Sequence, residues 1–219
     1  SLDDALFRRM NDMDFPVATV LEGIEAAQAV GFDNIKVNMV VKRGVNDHEV
    51  TAMARHFRGS GVTLRFIEFM DVGATNGWQM QEVLPSDDLL ARLQAEFALA
   101  PLSPSMLGET AVRWGHVGAN GQHDPALGEI GLISSVTHAF CSDCNRARLS
   151  TEGRLFLCLF ASEGWDLRTL LRSNPSDDAI AAAIAAVWGQ RRDNYSEQRS
   201  QHPEIAQQRK RIEMSYIGG

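Results

Sequence analysis

An alternation of helical and extended signals through the first hundred residues constrains the fold most. Residues 14–30, DFPVATVLEGIEAAQAV, read as a helix. Pro16 suits a first turn, Val17, Val20, Leu21 and Ile24 fall on one face, and Gly31 is a stop. NIKVNMVV (34–41) then reads as a strand. Asp47 caps a helix whose apolar side holds Val50, Met53, Ala54 and Phe57, with Gly59 and Gly61 ending it. TLRFIEFM (63–70) reads as a second strand. Ser86, Asp87 and Asp88 open a further helix through about Phe97, with acids at the positive end of its dipole. Helix, strand, helix, strand, helix is the rhythm of parallel β/α units, so the fold class is α/β. After Pro101 the rhythm changes. AVRWGHVGANG, GEIGLISSV and RARLSTEGRLFLCLF read as short strands between Gly-rich turns, which favours antiparallel pairing. A Ser-capped, Ala-rich helix follows at 176–190.

Net charge of −7 and a pI near 5.4 argue against a general nucleic-acid binder, which presents a basic surface. No apolar run approaches 18 residues, and SLDDALFRRM lacks the apolar stretch of a signal peptide. The expectation is a cytoplasmic protein with no membrane partner. The G-x4-G-K-[ST] phosphate loop is also missing from the sequence, so nucleotide binding of the NTPase kind is not expected.

All three cysteines fall in one window, CSDCNRARLSTEGRLFLC (141–158), spaced C-x2-C-x13-C. An odd count in a chain of this size is not a disulfide framework, and clustered thiols in a reducing compartment favour metal. RLSTEGRLF suggests a hairpin with Gly153 in the left-handed position of a three-residue loop. That register pairs Arg148 with Phe156 and Arg146 with Cys158, placing Arg146, Arg148 and Cys158 on one face. Cys144 joins that face if the strand extends back to it. Two metals suit the thiols. A structural zinc could take His138 as a fourth ligand, giving a non-catalytic Cys3His interaction module. An iron–sulfur cluster with three cysteine ligands leaves one iron open, and the arginines could hold an anionic ligand against it. The arginines tilt the choice to the cluster, because a closed zinc site has no need of them.

The run FCSDCNRARLSTEGRLFLCL resembles the C-terminal cluster motif of the GTP 3′,8-cyclase family, radical S-adenosylmethionine enzymes of molybdenum cofactor biosynthesis. IKVNMVVKRGVND (35–47), LRFIEFMDVG (64–73) and the terminal Gly-Gly resemble the family in the same order. The resemblance implies a fold: residues 1–100 as C-terminal β/α units of an incomplete TIM-like radical-SAM barrel, and 101–219 as a small antiparallel sheet carrying the cluster. It makes Cys141, Cys144 and Cys158 ligands of a [4Fe–4S] cluster and removes His138 from the ligand set. It assigns GTP contacts to Lys36, Arg65, Arg146, Ala147 and Arg148, and an S-adenosylmethionine contact to Met70. Read without it, Lys36 and Asn38 are polar residues of an edge strand, Arg65 a surface ion pair and Met70 a core residue. Gly218 and Gly219 match a tail that reaches the active site and is needed for productive radical formation. Residues without side chains can thread a narrow passage.

The family also carries a C-x3-C-x2-C motif for a second [4Fe–4S] cluster, which cleaves S-adenosylmethionine. These 219 residues hold no such motif. The resemblance therefore implies the C-terminal portion of an enzyme that converts GTP to 3′,8-cyclo-7,8-dihydro-GTP, and no turnover by these residues alone. Its expected partners are GTP, the N-terminal portion, a second copy in a homodimer, and the cyclic pyranopterin monophosphate synthase that acts next. An open part-barrel exposes strand edges, which favours association.

Overall fold

A computed structural model describes residues 1–73, 76–192, 194–202 and 212–217. Two helices open the chain. Helix α1 (Asp4–Asn11) is capped by Asp3, whose carboxylate accepts from the Leu6 amide. Helix α2 (Val17–Ala29) begins after Pro16. Of its expected apolar face, Leu21 and Ile24 pack against the core while Val20 stays exposed.

Strand β1 (Lys36–Val41) and strand β2 (Thr63–Glu68) pair in parallel, Lys36 opposite Thr63 and Asn38 opposite Arg65. Parallel neighbours need a crossover, here helix α3 (Val50–Phe57) entered through a 3-10 turn at Asp47–Glu49. Val50, Met53, Ala54 and Phe57 are all buried, as their i, i+3, i+4, i+7 spacing requires. Helix α4 (Ser86–Gln94) adds Leu89 and Leu93. These side chains close over Met39, Val41, Leu64 and Phe66 of the strands and form the main core. Burying each large apolar side chain favours the folded state by about 1.5–3 kcal/mol.

The strands expected at AVRWGHVGANG and GEIGLISSV are present as β4 (Val112–His116) and β5 (Glu129–Ile133), and an unexpected strand, β3 (Leu99–Leu102), runs through Pro101 itself. They do not start a separate sheet. Strand β5 pairs in parallel with β2 and antiparallel with β4, giving one five-stranded mixed sheet in the order β1-β2-β5-β4-β3. The change of rhythm is thus a change of strand direction within one sheet. Residues Ser1–Phe69 and Met80–His138 form this first compact unit. Among the described residues β1 pairs only with β2, so it is an edge strand.

Residues Met70–Gln79 and Ala139–Gly219 form a second unit. Its sheet is small and antiparallel: β6 (Arg148–Leu149), β7 (Arg154–Phe156) and β8 (Trp165–Asp166). Helices α5 (Leu167–Arg172), α6 (Asp177–Gly189) and α7 (Tyr195–Gln201) follow. Ser176 caps α6 through the Ala179 amide. Asp71 and Arg199 form an ion pair with both side chains fully buried, and the Tyr195 hydroxyl donates to Asp71. The Arg199 guanidinium lies 5.0 Å from the Phe160 ring centre and 5.8 Å from that of Trp78. No described helix is long and apolar enough to cross a membrane.

Candidate functional site

The first unit presents two of the expected substrate contacts on one sheet face. Side chains alternate along a strand, so the burial of Met39, Val41, Leu64 and Phe66 turns Lys36, Asn38 and Arg65 to the opposite face. Arg65 Nε donates to Asn38 Oδ1 at 2.9 Å across the β1–β2 pair. No carboxylate pairs with Arg65 among the described residues, in contrast to the surface ion pair that a bare strand reading suggests. On its other side Arg65 faces Gly131, where an added Cβ would lie 2.9 Å from Arg65 Cγ. Glycine inside β5 therefore gives the arginine stem its path across the sheet. Two cations on one sheet face, Arg65 held by Asn38 and Lys36 exposed, suit a polyanionic ligand.

At the end of β2, Glu68 is buried at 2% exposure. Its carboxylate accepts from the Ser86 amide and hydroxyl, the Val136 and Thr137 amides, and the Thr137 hydroxyl. Five donors hold this carboxylate, with no ion pair to it among the described residues, which fixes the start of α4 and the 134–138 segment to the strand end. His138, the candidate fourth zinc ligand, lies 3.2 Å from Asp87 Oδ2 and is exposed.

Met70 is partly buried and belongs to the second unit. Strand β2 stops at Glu68, so Met70 lies two residues beyond it, with its carbonyl accepting from Asn76 Nδ2 at 3.0 Å.

The cysteine window carries the second cluster of groups. The expected hairpin register is present: Arg148 pairs with Phe156, and Gly153 has φ of +77°. The ladder stops there. Arg146 and Cys158 do not pair as strand residues, because β6 is two residues long and the chain turns at 141–144, with the Cys144 amide donating to the Cys141 carbonyl. The arginines still reach the thiols. Arg146 donates to Cys144 Sγ at 3.4 Å and lies 5.2 Å from the Phe140 ring centre. Arg148 feels the charge of both Cys158 and Cys144; burial and Arg146 lower its pKa against them. Ala147 is exposed between the two arginines.

A third guanidinium escapes sequence reasoning. Arg191, beyond α6, donates to the Cys144 carbonyl and reaches its thiol. Burial alone would push the Cys144 thiol up. Hydrogen bonds from the Arg146 backbone and from the Arg191 and Arg146 guanidiniums outweigh it, holding the pKa below that of an ordinary cysteine.

Cys141, Cys144 and Cys158 form no disulfide with one another and are half-buried. Among the described residues no three His, Cys, Asp or Glu side chains are grouped closely enough to hold a metal ion. The donor set nonetheless fits an iron–sulfur cluster chemically: three thiols within one unit, with arginines beside them that favour the thiolate form of Cys144. Gly218 and Gly219 lie outside the described residues.

These observations define an α/β protein with cations on one sheet face and a thiol–guanidinium patch in a separate antiparallel unit. The chain belongs to the family described as Molybdenum Cofactor Synthesis C, whose sequence model matches residues 62–197. Similar curated proteins share its whole length. A GTP 3′,8-cyclase of Xanthomonas campestris pv. campestris (strain B100) is 45% identical over 219 residues, covering 100% of this chain and 61% of that protein. The GTP 3′,8-cyclase of Acidothermus cellulolyticus is 40% identical over 241 residues, covering 100% and 65%. That of Staphylococcus aureus (strain bovine RF122 / ET3-1) is 39% identical over 220 residues, covering 100% and 62%. The chain thus spans less than two thirds of the length of these relatives.

Proposed function

We propose that this chain is the substrate-binding portion of a GTP 3′,8-cyclase, a radical S-adenosylmethionine lyase that makes 3′,8-cyclo-7,8-dihydro-GTP for the molybdenum cofactor. The observation that carries the reading is the patch in which Arg146, Arg148 and Arg191 surround Cys144. Its support is the family match and the shared names of the relatives. Cys141, Cys144 and Cys158 would hold a [4Fe–4S] cluster, which would supply an iron Lewis acid to bind the guanine. Arg146, Ala147 and Arg148 bind the nucleotide beside it. Lys36 and Arg65 supply further cations for the triphosphate, whose charge-assisted hydrogen bonds are the strong kind. Met70 packs on S-adenosylmethionine. Gly218 and Gly219 complete the active site without side chains.

With three cysteines in the sequence, all assigned to this cluster, the radical-generating cluster and most of the cofactor site must come from outside these residues. The five-stranded sheet contributes β/α units to an incomplete TIM-like barrel that the N-terminal portion completes along β1. A cytoplasmic homodimer handing its product to cyclic pyranopterin monophosphate synthase completes the reading.

Equilibrium GTP binding to the anaerobically reconstituted chain tests it. Arg148→Ala should weaken GTP binding about tenfold or more, the worth of one charge-assisted contact. ATP should compete poorly. Equal affinity for ATP and GTP, or an Arg148→Ala protein that binds GTP normally, would contradict the assignment.

A further inference from the structure

A polar concavity lies at the end of the five-stranded sheet opposite Glu68. It is half-open, has a volume of about 390 Å³ and is lined by Arg55, Arg58, Glu96, Phe97, Ala98, His116 and Val117. That volume lies within the usual range for small-molecule sites, about 300–1,000 Å³. Its position follows from the topology. Arg58 ends α3 and precedes β2 by five residues, and the His116 amide donates to the Gly128 carbonyl just before β5. The cavity therefore sits at the N-terminal ends of β2 and β5. Glu68 marks the opposite end of β2, a strand length of about 20 Å away.

Two groups in this cavity are built for a ligand. His116 is 2% exposed, packs edge-on against Phe97 at 5.4 Å, and lines the cavity. Among the described residues no hydrogen bond engages its imidazole. Arg58 is exposed beside it and has no hydrogen bond or ion pair among the described residues. The one acid of the lining, Glu96, is already neutralised by Arg55. The lining thus carries one uncompensated cation on a protein of net charge −7. A cationic concavity of this kind concentrates anions.

We propose that this cavity is a second anion site, taking a small phosphate-bearing ligand whose oxygens accept from the Arg58 guanidinium and the His116 imidazole. Phe97 supplies an apolar wall for the rest of such a ligand. The site is separate from the Lys36–Arg65 face and independent of the GTP reading.

The test uses pyrophosphate as probe on the 219-residue chain, following histidine ring signals by NMR, with His116 assigned from a His116→Asn variant. The expected result is a saturable shift of the His116 signal. Arg58→Gln should weaken it about tenfold or more, Arg58→Lys should recover part of it, and Arg65→Ala should leave it in place. No saturable shift in the unaltered chain would overturn the proposal. So would equal affinity in Arg58→Gln, or loss of the shift in Arg65→Ala, which would place the anion on the other face. Circular dichroism establishes that each variant is folded before the affinities are compared.

Discussion

Glu68 and His116 bear the same problem in opposite ways, since each is a polar group almost wholly removed from water. Glu68 solves it with five neutral donors drawn from β2's neighbours in space. A glutamine in its place must turn an amide donor toward one set of those donors. Glu68→Gln should therefore lower unfolding free energy by about 2–4 kcal/mol, because hydrogen bonds to charged groups are individually worth about 1.5–3 kcal/mol. The urea midpoint reads this directly, and an unchanged midpoint would mean that the network carries no stability. His116 stays neutral, since burial, then Arg58 and His123, lower its pKa from 6.5. The unfolded chain therefore binds this proton more readily than the folded one. The stability tied to neutral His116 is fully present above about pH 6.5 and is lost as pH falls through the lower folded-state value. Urea midpoints between pH 7.5 and 5.5 should drop in the unaltered chain. His116→Asn should drop less over the same interval.

At the scale of elements, the buried Asp71–Arg199 pair ties the 70–79 segment to α7. Removing one partner leaves a charge in a dry site, so Asp71→Asn should cost about 3–5 kcal/mol and raise amide hydrogen exchange across 195–201. Exchange confined to other segments would show that the pair does not anchor α7. What could be read from the sequence at this scale was local. The apolar period of α3, the Ser176 cap and the Gly153 turn each sit within a dozen residues, and each formed as expected. Helix α1 was not anticipated, although Asp3 caps it, because its eight residues bury only Leu6. The insertion of β5 between β2 and β4 joins positions more than sixty residues apart. No local period encodes that pairing. Arg191 reaches Cys144 from 47 residues away, and Glu68 looks like any polar strand residue until its donors arrive from 86 and 136–137. Gly131 alone offered a hint, since a glycine inside a strand marks a close approach.

At the scale of the whole molecule, chemistry-bearing groups are divided between two units, Lys36 and Arg65 in one and the three cysteines with Arg146, Arg148 and Arg191 in the other. On the proposed reading, neither unit holds a complete catalytic set. Cyclisation of GTP should require a supplied N-terminal portion, and robust turnover without it would refute the substrate-portion reading. The most direct measurement of the central claim is anaerobic. The chain is reconstituted with iron and sulfide, its iron, sulfide and zinc are determined, and its visible spectrum is recorded with GTP and with ATP. About four irons per chain, as one cubane cluster requires, and a spectral change with GTP but not ATP are the predicted result. One tightly bound zinc, no sulfide and no response to GTP would contradict it, and would make the cysteine window a structural site.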